Sequence, residues 1–225
     1  MNIKINKLEI IIYALIILLF SLIKASYIDS IDADDFVKMF IKYYIHYGEL
    51  SQFNIIWITP LFVTIFFITK NVYLKLINFN LRFNNRKNCF KATVKILLIK
   101  TILYSLLFII IQLPLLLIKT SYPVKITLEM LEFGLKIIIE IFATAMIVLA
   151  VSLFIKNYAY AITLILTVFY LLLRTEAFYI PFCSLFISTR LNIVSMIASL
   201  FALVAIYKVY LHLDITGEIK NETRN

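Results

Sequence analysis

The chain has 225 residues, of which 63% are hydrophobic and 16% are charged, and its mean hydropathy is +0.96. Because soluble domains carry charge on about a quarter of their residues, this composition excludes an ordinary soluble enzyme and indicates an integral membrane protein. In a soluble protein the net charge of +9 could suggest nucleic-acid binding. In a membrane protein the positions of the charges indicate which side of the membrane each loop occupies, so we expect no nucleic-acid partner.

Six apolar segments fit transmembrane helices, each of which needs roughly 20 mostly apolar residues. They cover residues 8–28, 53–72, 96–118, 135–155, 158–173 and 191–211. The first follows a basic start like that of a signal peptide, but it lacks a small-x-small cleavage site, so we expect it to be retained. The predicted fold class is all-α: a single polytopic membrane domain over residues 1–225.

The distribution of charge predicts the orientation of this domain. With the N-terminus inside, the cytoplasmic parts hold fourteen of the 22 Lys and Arg residues, whereas nine of the 13 acids fall on the outer side. Since cytoplasmic loops are enriched in Lys and Arg, we expect six spans with both termini cytoplasmic. The excess of Lys over Arg, with abundant Ile and Asn, is typical of AT-rich bacterial genomes. Together with the six spans it predicts a multi-pass protein of the bacterial plasma membrane.

The predicted outer loop, residues 29–52, begins with four aspartates and continues with aromatic residues. Asp32 can cap a helix and Asp35 lies in its first turn, where the helix dipole favours acids. We therefore predict a helix in the outer interface. Calcium binding is an alternative use of the aspartates, but the glycine and terminal glutamate of an EF-hand loop are missing. Attraction of cationic peptides is a third.

The cytoplasmic basic loop, residues 73–95, is the strongest topological signal. No acid occurs between Glu49 and Glu129, whereas residues 70–100 contain eight Lys and Arg residues. Apolar residues interleave with the bases, so we expect helices that extend spans two and three to a turn near residues 84–88. The bases offered to a partner there are Arg82, Arg86, Lys87 and Lys91. Two simpler interpretations stay open: the bases hold the loop inside, or they attract anionic lipids.

Polar residues also occur within the later spans. A charge inside a span is a functional candidate, so Lys136 and Glu140, one helical turn apart, form a candidate intramembrane pair. The alternative is that Lys136 reaches the outer surface and pairs with Glu140 there. In span three, Pro114 beside Gln112 either bends the helix or frees a carbonyl for function.

Small residues recur on one stripe of span five, at Ala159, Thr163 and Thr167, and predict close packing within the subunit or in a dimer. The link between spans five and six, residues 174–190, is too apolar for a free loop. We predict a short re-entrant or interfacial hairpin there, because non-helical backbone at membrane depth must be buried in protein.

Several chemistries lack the residues that they require. Only three glycines occur and no G-x-x-x-x-G-K-[ST] loop is present, so the chain has no usual nucleotide site. His46 and His212, like Cys89 and Cys183, lie on opposite predicted sides, which argues against a metal site and against a disulfide. We expect no catalytic residues, no metal and no cofactor, and therefore no enzyme activity on this chain.

The layout combines six spans with inside termini, a long outer loop after span one and "IIWITP" opening span two. It also has the basic loop between spans two and three and an apolar outer hairpin between spans five and six. This layout resembles the permease subunits of ABC-2-type ABC transporters, above all the small six-span permeases of Gram-positive bacteria linked to peptide antibiotic export or immunity. In such permeases the loop between spans two and three docks on a separate ATPase, and residues Arg82 to Lys91 match that position. One departure is that only seven residues precede span one, where the family often has a longer interfacial helix.

The resemblance implies a permease subunit that moves a hydrophobic or amphipathic compound, such as an antimicrobial peptide. Its expected partners are a separate ABC ATPase, a second copy or a related permease, and membrane lipids. The main alternative is a stand-alone immunity or accessory protein that binds a toxin or a membrane partner without transport. A gradient-driven transporter using Glu140 is a further alternative, but it should show more intramembrane charges and similarity between its halves.

The orientation yields a labelling prediction. In intact cells, a membrane-impermeant thiol reagent should label Cys183 or neither cysteine, because Cys89 lies in the predicted cytoplasmic loop. Mass spectrometry before and after permeabilisation measures the modification, and Cys89→Ser is the control for the inner site. Modification of Cys89 in intact cells would invert the predicted topology.

Overall fold

The protein is a bundle of α-helices. The computed structural model describes residues 6–26, 54–80, 86–118, 128–155, 157–174 and 193–212. Within these ranges there are six helices and no strand, which confirms the all-α fold class. The helices are α1 (Lys7–Ser26), α2 (Asn54–Asn80), α3 (Arg86–Ile118), α4 (Leu128–Ile155), α5 (Tyr158–Arg174) and α6 (Ile193–His212).

Each helix overlaps one predicted apolar segment, and the main differences lie beside the basic loop. There α2 continues to Asn80, eight residues past the predicted end, and α3 begins at Arg86, ten residues before the predicted start. Helix therefore extends into the loop from both sides, as the interleaved apolar residues predicted. Residues 81–85, the outer loop 29–52 and residues 175–190 of the predicted hairpin lie outside the described residues, so the predictions made for them stay predictions.

Asparagine side chains cap two of the helices. The Leu8 N–H donates to Oδ1 of Asn6 at 3.1 Å, and the Tyr160 N–H donates to Oδ1 of Asn157 at 3.2 Å. Such caps satisfy backbone donors that the first turn leaves without helical partners. The second cap starts α5 immediately after α4.

The centre of the bundle is α4, which packs against α2, α3, α5 and α6, while α1 packs against α2 and α3. Small buried residues, including Ala143, Thr144 and Ala145, let the neighbouring backbones approach α4 closely. The stripe predicted on α5 is different: Ala159, Thr163 and Thr167 are exposed. Packing of that stripe within the subunit is therefore wrong, and a dimer contact stays a prediction.

The outer surface of α1 is apolar and its buried face is partly polar. Tyr13, Ile17 and Ser21 are fully buried. The opposite face exposes seven large apolar side chains at helical spacing: Leu8, Ile11, Ile12, Leu15, Leu18, Leu19 and Leu22. This arrangement reverses that of a surface helix in water, where a large apolar patch is unfavourable.

The same inversion holds for α3. Its buried polar side chains are Thr93, Lys100, Thr101, Ser105 and Gln112. Its exposed large apolar side chains are Leu98, Ile102, Leu106 and Ile110. Both helices therefore place polar groups inside and aliphatic groups outside.

Within the described residues, two stretches are long and apolar enough to cross a membrane: Phe90–Gln112 in α3 and Gly134–Ile155 in α4. Tyr158–Val168 in α5 is apolar but shorter. Length and composition alone carry this finding, and the core helix of a soluble protein meets the same criteria. The six spans and their orientation accordingly stay predictions.

Side-chain contacts bring together helix ends that the charge distribution assigns to one side. Three pairs make these contacts: Glu9 with Lys100, Tyr73 with Tyr158, and Phe90 with Tyr207. They place the starts of α1, α3 and α5 at the same end of the bundle as the ends of α2 and α6. Helices that follow one another in the chain therefore run in alternating directions.

Tyr13 joins three helices in the core. Its hydroxyl lies 2.9 Å from Oγ1 of Thr64 on α2 and donates to the Tyr104 carbonyl on α3 at 3.0 Å. Its ring meets the Tyr104 ring edge-on, with centroids 4.7 Å apart, and the Phe67 ring at 5.5 Å. One side chain thus ties α1 to both of the helices that flank the basic loop.

Replacing Tyr13 with phenylalanine should lower the free energy of unfolding by about 1–2 kcal/mol, because the ring is kept while its two buried hydrogen bonds, to Thr64 and to the Tyr104 carbonyl, are lost. Denaturant unfolding of the purified protein in detergent measures this change. Tyr160→Phe is the matched control, since Tyr160 is 62% exposed, and it should change stability by less than about 0.5 kcal/mol. Equal effects of the two substitutions would contradict the role given to Tyr13.

Candidate functional site

The first candidate site is the basic loop of residues 73–95. We call it the basic hairpin from here on, because the end of α2 and the start of α3 form its two arms. Lys91 and Lys95 are exposed on α3. Arg86 and Lys87 occupy the first turn of α3, but their side chains lie outside the described residues, as does the whole of Arg82. Of the four predicted docking residues, Lys91 is thus the one whose exposed side chain is described.

The basic hairpin projects beyond the start of α1. Tyr13, Thr64 and Tyr104 meet at one level of the bundle. At a rise of 1.5 Å per residue, α2 continues from that level for about 24 Å to Asn80, and α3 for about 27 Å to Arg86, whereas α1 covers only about 10 Å on the same side. Along the helix axes, Asn80 and Arg86 therefore lie roughly 15 Å beyond the first described turn of α1.

Aromatic contacts support this projecting part from two sides. From α6, the ring of Tyr207 meets Phe90 edge-on at 5.1 Å between centroids. From α5, the Tyr158 ring lies 5.4 Å from that of Tyr73, and its hydroxyl lies 2.8 Å from Oγ1 of Thr69. The hairpin is consequently packed against the bundle at its base.

An ion pair that the sequence did not predict joins α1 to α3 below the basic hairpin. The Lys100 ammonium donates to Oε1 of Glu9 at 3.0 Å, and the Tyr104 hydroxyl donates to the same oxygen at 2.8 Å. The Lys100 side chain is 3% exposed and that of Glu9 14%. Lys100 was counted with the cytoplasmic loop, but it is buried in the bundle.

A sequence signal for this pair does exist. Glu9 is the one acid on the predicted inner side before residue 214, and Lys100 lies inside an apolar run that has no acid of its own. Because a buried charge needs a partner, these two residues could have been paired in advance.

The predicted intramembrane pair lies on the central helix. Lys136 is fully buried and Glu140 is 1% exposed, so the alternative in which Lys136 reaches solvent at the outer surface does not hold. Glu140 and Glu132 both interact electrostatically with Lys136, which compensates part of the desolvation of the ammonium. Nothing in the structure assigns the pair a role in transport.

Metal chemistry finds no support in the part of the chain that the structure describes, where no group of three His, Cys, Asp or Glu residues is close enough to hold an ion. No family model, no curated protein and no solved structure matches this chain. The chemical resources of the described residues are therefore a projecting basic surface and polar groups buried between helices.

The Glu9–Lys100 pair yields a stability prediction. Lys100→Met should lower the free energy of unfolding by about 1–3 kcal/mol, since it leaves the Glu9 carboxylate without its cation, and the partial exposure of Glu9 limits the loss. Adding Glu9→Gln should recover part of that loss. Denaturant unfolding of the four members of this cycle in detergent gives the coupling between the two residues.

The control for this cycle is Lys95→Met, which removes an exposed lysine from the same helix and should change stability by less than about 0.5 kcal/mol. Additive effects of Glu9→Gln and Lys100→Met would show that the pair contributes no coupling energy.

Proposed function

We propose that this chain is the membrane-spanning permease subunit of an ABC exporter in the bacterial plasma membrane. It works as a homodimer or with a related permease, and a separate subunit hydrolyses ATP. Its cargo is a hydrophobic or amphipathic compound. This proposal carries forward the resemblance to ABC-2-type permeases.

The inverted polarity of α1 and α3 supports the membrane location. Aliphatic side chains on the outer faces are favourable against lipid, while polar groups such as the Tyr13 hydroxyl and the Lys100 ammonium find partners inside the bundle. The alternating helix directions and the grouping of helix ends agree with six spans and two cytoplasmic termini. The charge count gives the same orientation.

The observation that carries the proposed docking role is the projection of the basic hairpin. A continuous helix on each side extends it roughly 15 Å past the start of α1, and Lys91 and Lys95 are exposed there. A loop that served only to retain positive charge inside would need neither helical extensions nor aromatic contacts at its base. A protein partner at the membrane surface accounts for both features.

The packing of the hairpin suggests how a push on it would reach the spans. Helix α3 is continuous from Arg86 to Ile118, so force applied at its start passes along its axis. Contacts of Tyr13 and Glu9 on α1 with Tyr104 and Lys100 on α3 would carry α1 with it. When two ATP-bound ATPase subunits close, the basic hairpins move and the spans switch access from one side to the other.

Co-purification tests the docking step. The chain should retain a candidate ABC ATPase that is co-expressed with it, and the triple charge reversal Arg82→Glu, Arg86→Glu and Lys87→Glu should reduce the retained ATPase about tenfold or more, since like charges across an interface are strongly unfavourable. The readout is the ratio of ATPase to permease after purification in mild detergent.

The matched control reverses three bases elsewhere on the predicted inner side, Lys4, Lys7 and Lys208. It changes the net charge by the same amount and tests whether altered topology alone explains the loss. Retention of ATPase by both variants would sink the docking hypothesis. Absence of any ATPase bound to the wild-type chain would favour the stand-alone immunity or accessory protein.

A further inference from the structure

Most buried hydroxyls in this bundle bond to their own helix. Each donates to a backbone carbonyl three or four residues earlier, as is usual for Ser and Thr in apolar helices. The donors are Ser21, Thr64, Thr69, Thr144 and Ser152. Any buried hydroxyl that lacks this bond is therefore an exception that needs an explanation.

Two exceptions lie on α3, together with an amide. The hydroxyls of Thr101 and Ser105, and both polar atoms of the Gln112 side chain, are buried without a hydrogen-bond partner in the described structure. The three residues are at most 1% exposed. Leaving such groups without partners costs about 1–3 kcal/mol each, so they call for a partner that the described residues do not supply.

These three residues form one stripe, which we call the polar track. At 100° per residue, Thr101, Ser105 and Gln112 lie within about 40° of one another on the helix, and they span about 16 Å along it. Pro114, two residues later, cannot donate to the Ile110 carbonyl, which adds a backbone acceptor in the turn that holds Gln112.

The polar track begins at a pocket in the side of the bundle. Thr101 lines this pocket of about 280 Å³ between α3, α4 and α6. The other described lining residues are apolar: Leu98, Ile102, Ile138, Ile139, Phe142 and Leu200. Leu98, Ile102 and Leu200 are also exposed, so the pocket opens onto the apolar outer surface.

We propose that the polar track, with this pocket, is a binding site for a neutral amphipathic ligand that carries amide groups, such as a short apolar peptide segment. The ligand enters from the lipid side, places an apolar side chain in the pocket, and bonds its backbone amides to Thr101, Ser105 and Gln112. Passage beyond Thr101 requires α3 and α4 to separate at this face. The assignment rests on the proposed export function and adds the recognition chemistry to it.

The side chains of the polar track select the ligand class. A primary amide offers one acceptor and two donors, and each hydroxyl both donates and accepts, which matches the donor and acceptor of a peptide group. The stripe carries no Lys or Arg, so it offers no cation to a phosphate. At about 3.3 Å per residue, a track of about 16 Å matches roughly five residues of extended peptide.

Binding of a labelled probe tests this site. The full chain is placed in lipid nanodiscs and titrated with a fluorescent, capped pentapeptide of alternating leucine and alanine. A second probe is the same pentapeptide with N-methylated backbone amides, which keeps the apolar groups and removes the donors. We expect saturable binding of the first probe and about tenfold weaker binding of the second, since two ordinary hydrogen bonds amount to roughly that factor.

The test variant is Ser105→Ala combined with Gln112→Leu, which keeps the volume of the core and removes the polar groups. It should bind the unmethylated peptide about tenfold more weakly than the wild type and discriminate little between the probes. Its melting temperature should be unchanged or higher, because apolar groups replace polar groups that lack partners. The control is Ser152→Ala, a buried hydroxyl bonded within its own helix, which should leave peptide binding unchanged.

Three results would overturn the site: no saturable binding of the peptide, equal binding by the test variant, or a lower melting temperature of that variant without a change in binding. The third result would mean that water molecules inside the bundle form hydrogen bonds with the polar side chains of the track. Because no ATPase is needed, the test is independent of docking. If the chain binds the peptide but retains no ATPase, the binding site stands and the exporter function does not. If the chain retains the ATPase but does not bind the peptide, it is an exporter of another cargo.

Discussion

The arrangement of the first three helices depends on polar side chains that meet inside an apolar bundle. Lys100 and Tyr104 both donate to Oε1 of Glu9, and Tyr13 connects Thr64 to the backbone of α3. Because the outer faces of α1 and α3 are aliphatic, these polar groups have no favourable position except against one another. Hydrogen bonds and the ion pair thus specify which faces pack, where aliphatic contacts alone would allow many orientations.

This constraint links the basic hairpin to the core. The residues that tie α1 to α3 lie near the start of α1, beyond which α2 and α3 continue, so a displacement of the hairpin acts on α1 through short hydrogen bonds. The aromatic contacts with α5 and α6 involve the same end of the bundle. A partner that binds the hairpin would consequently act on most of the helices, while the polar track on a different face of α3 would respond as α3 moves against α4.

The sequence predicted the number, position and class of the described helices well, because long aliphatic runs separated by polar segments permit little else. It also placed Lys136 and Glu140 on one face, since four residues separate them. It did not predict that Lys136 would be buried, because a lysine near the end of an apolar run can either extend to the surface or turn inward. The length of α4, which begins at Leu128, favours the inward position.

Charge counting predicts a side for each loop from the chain alone, and aliphatic length located the helices, since both depend on local composition. The pairing of side chains between helices did not follow from local composition in the same way. In helices whose residues are apolar on nearly every side, periodicity barely distinguishes the inner from the outer face, so the partner of Lys100 and the lack of a partner for Gln112 emerged with the packing of α3. The basic stretch "LRFNNRKNCFKATVK" illustrates the division: its charge was evident in the sequence, whereas the position of its described part, from Arg86 on, relative to α1 depends on where Tyr13, Thr64 and Tyr104 meet.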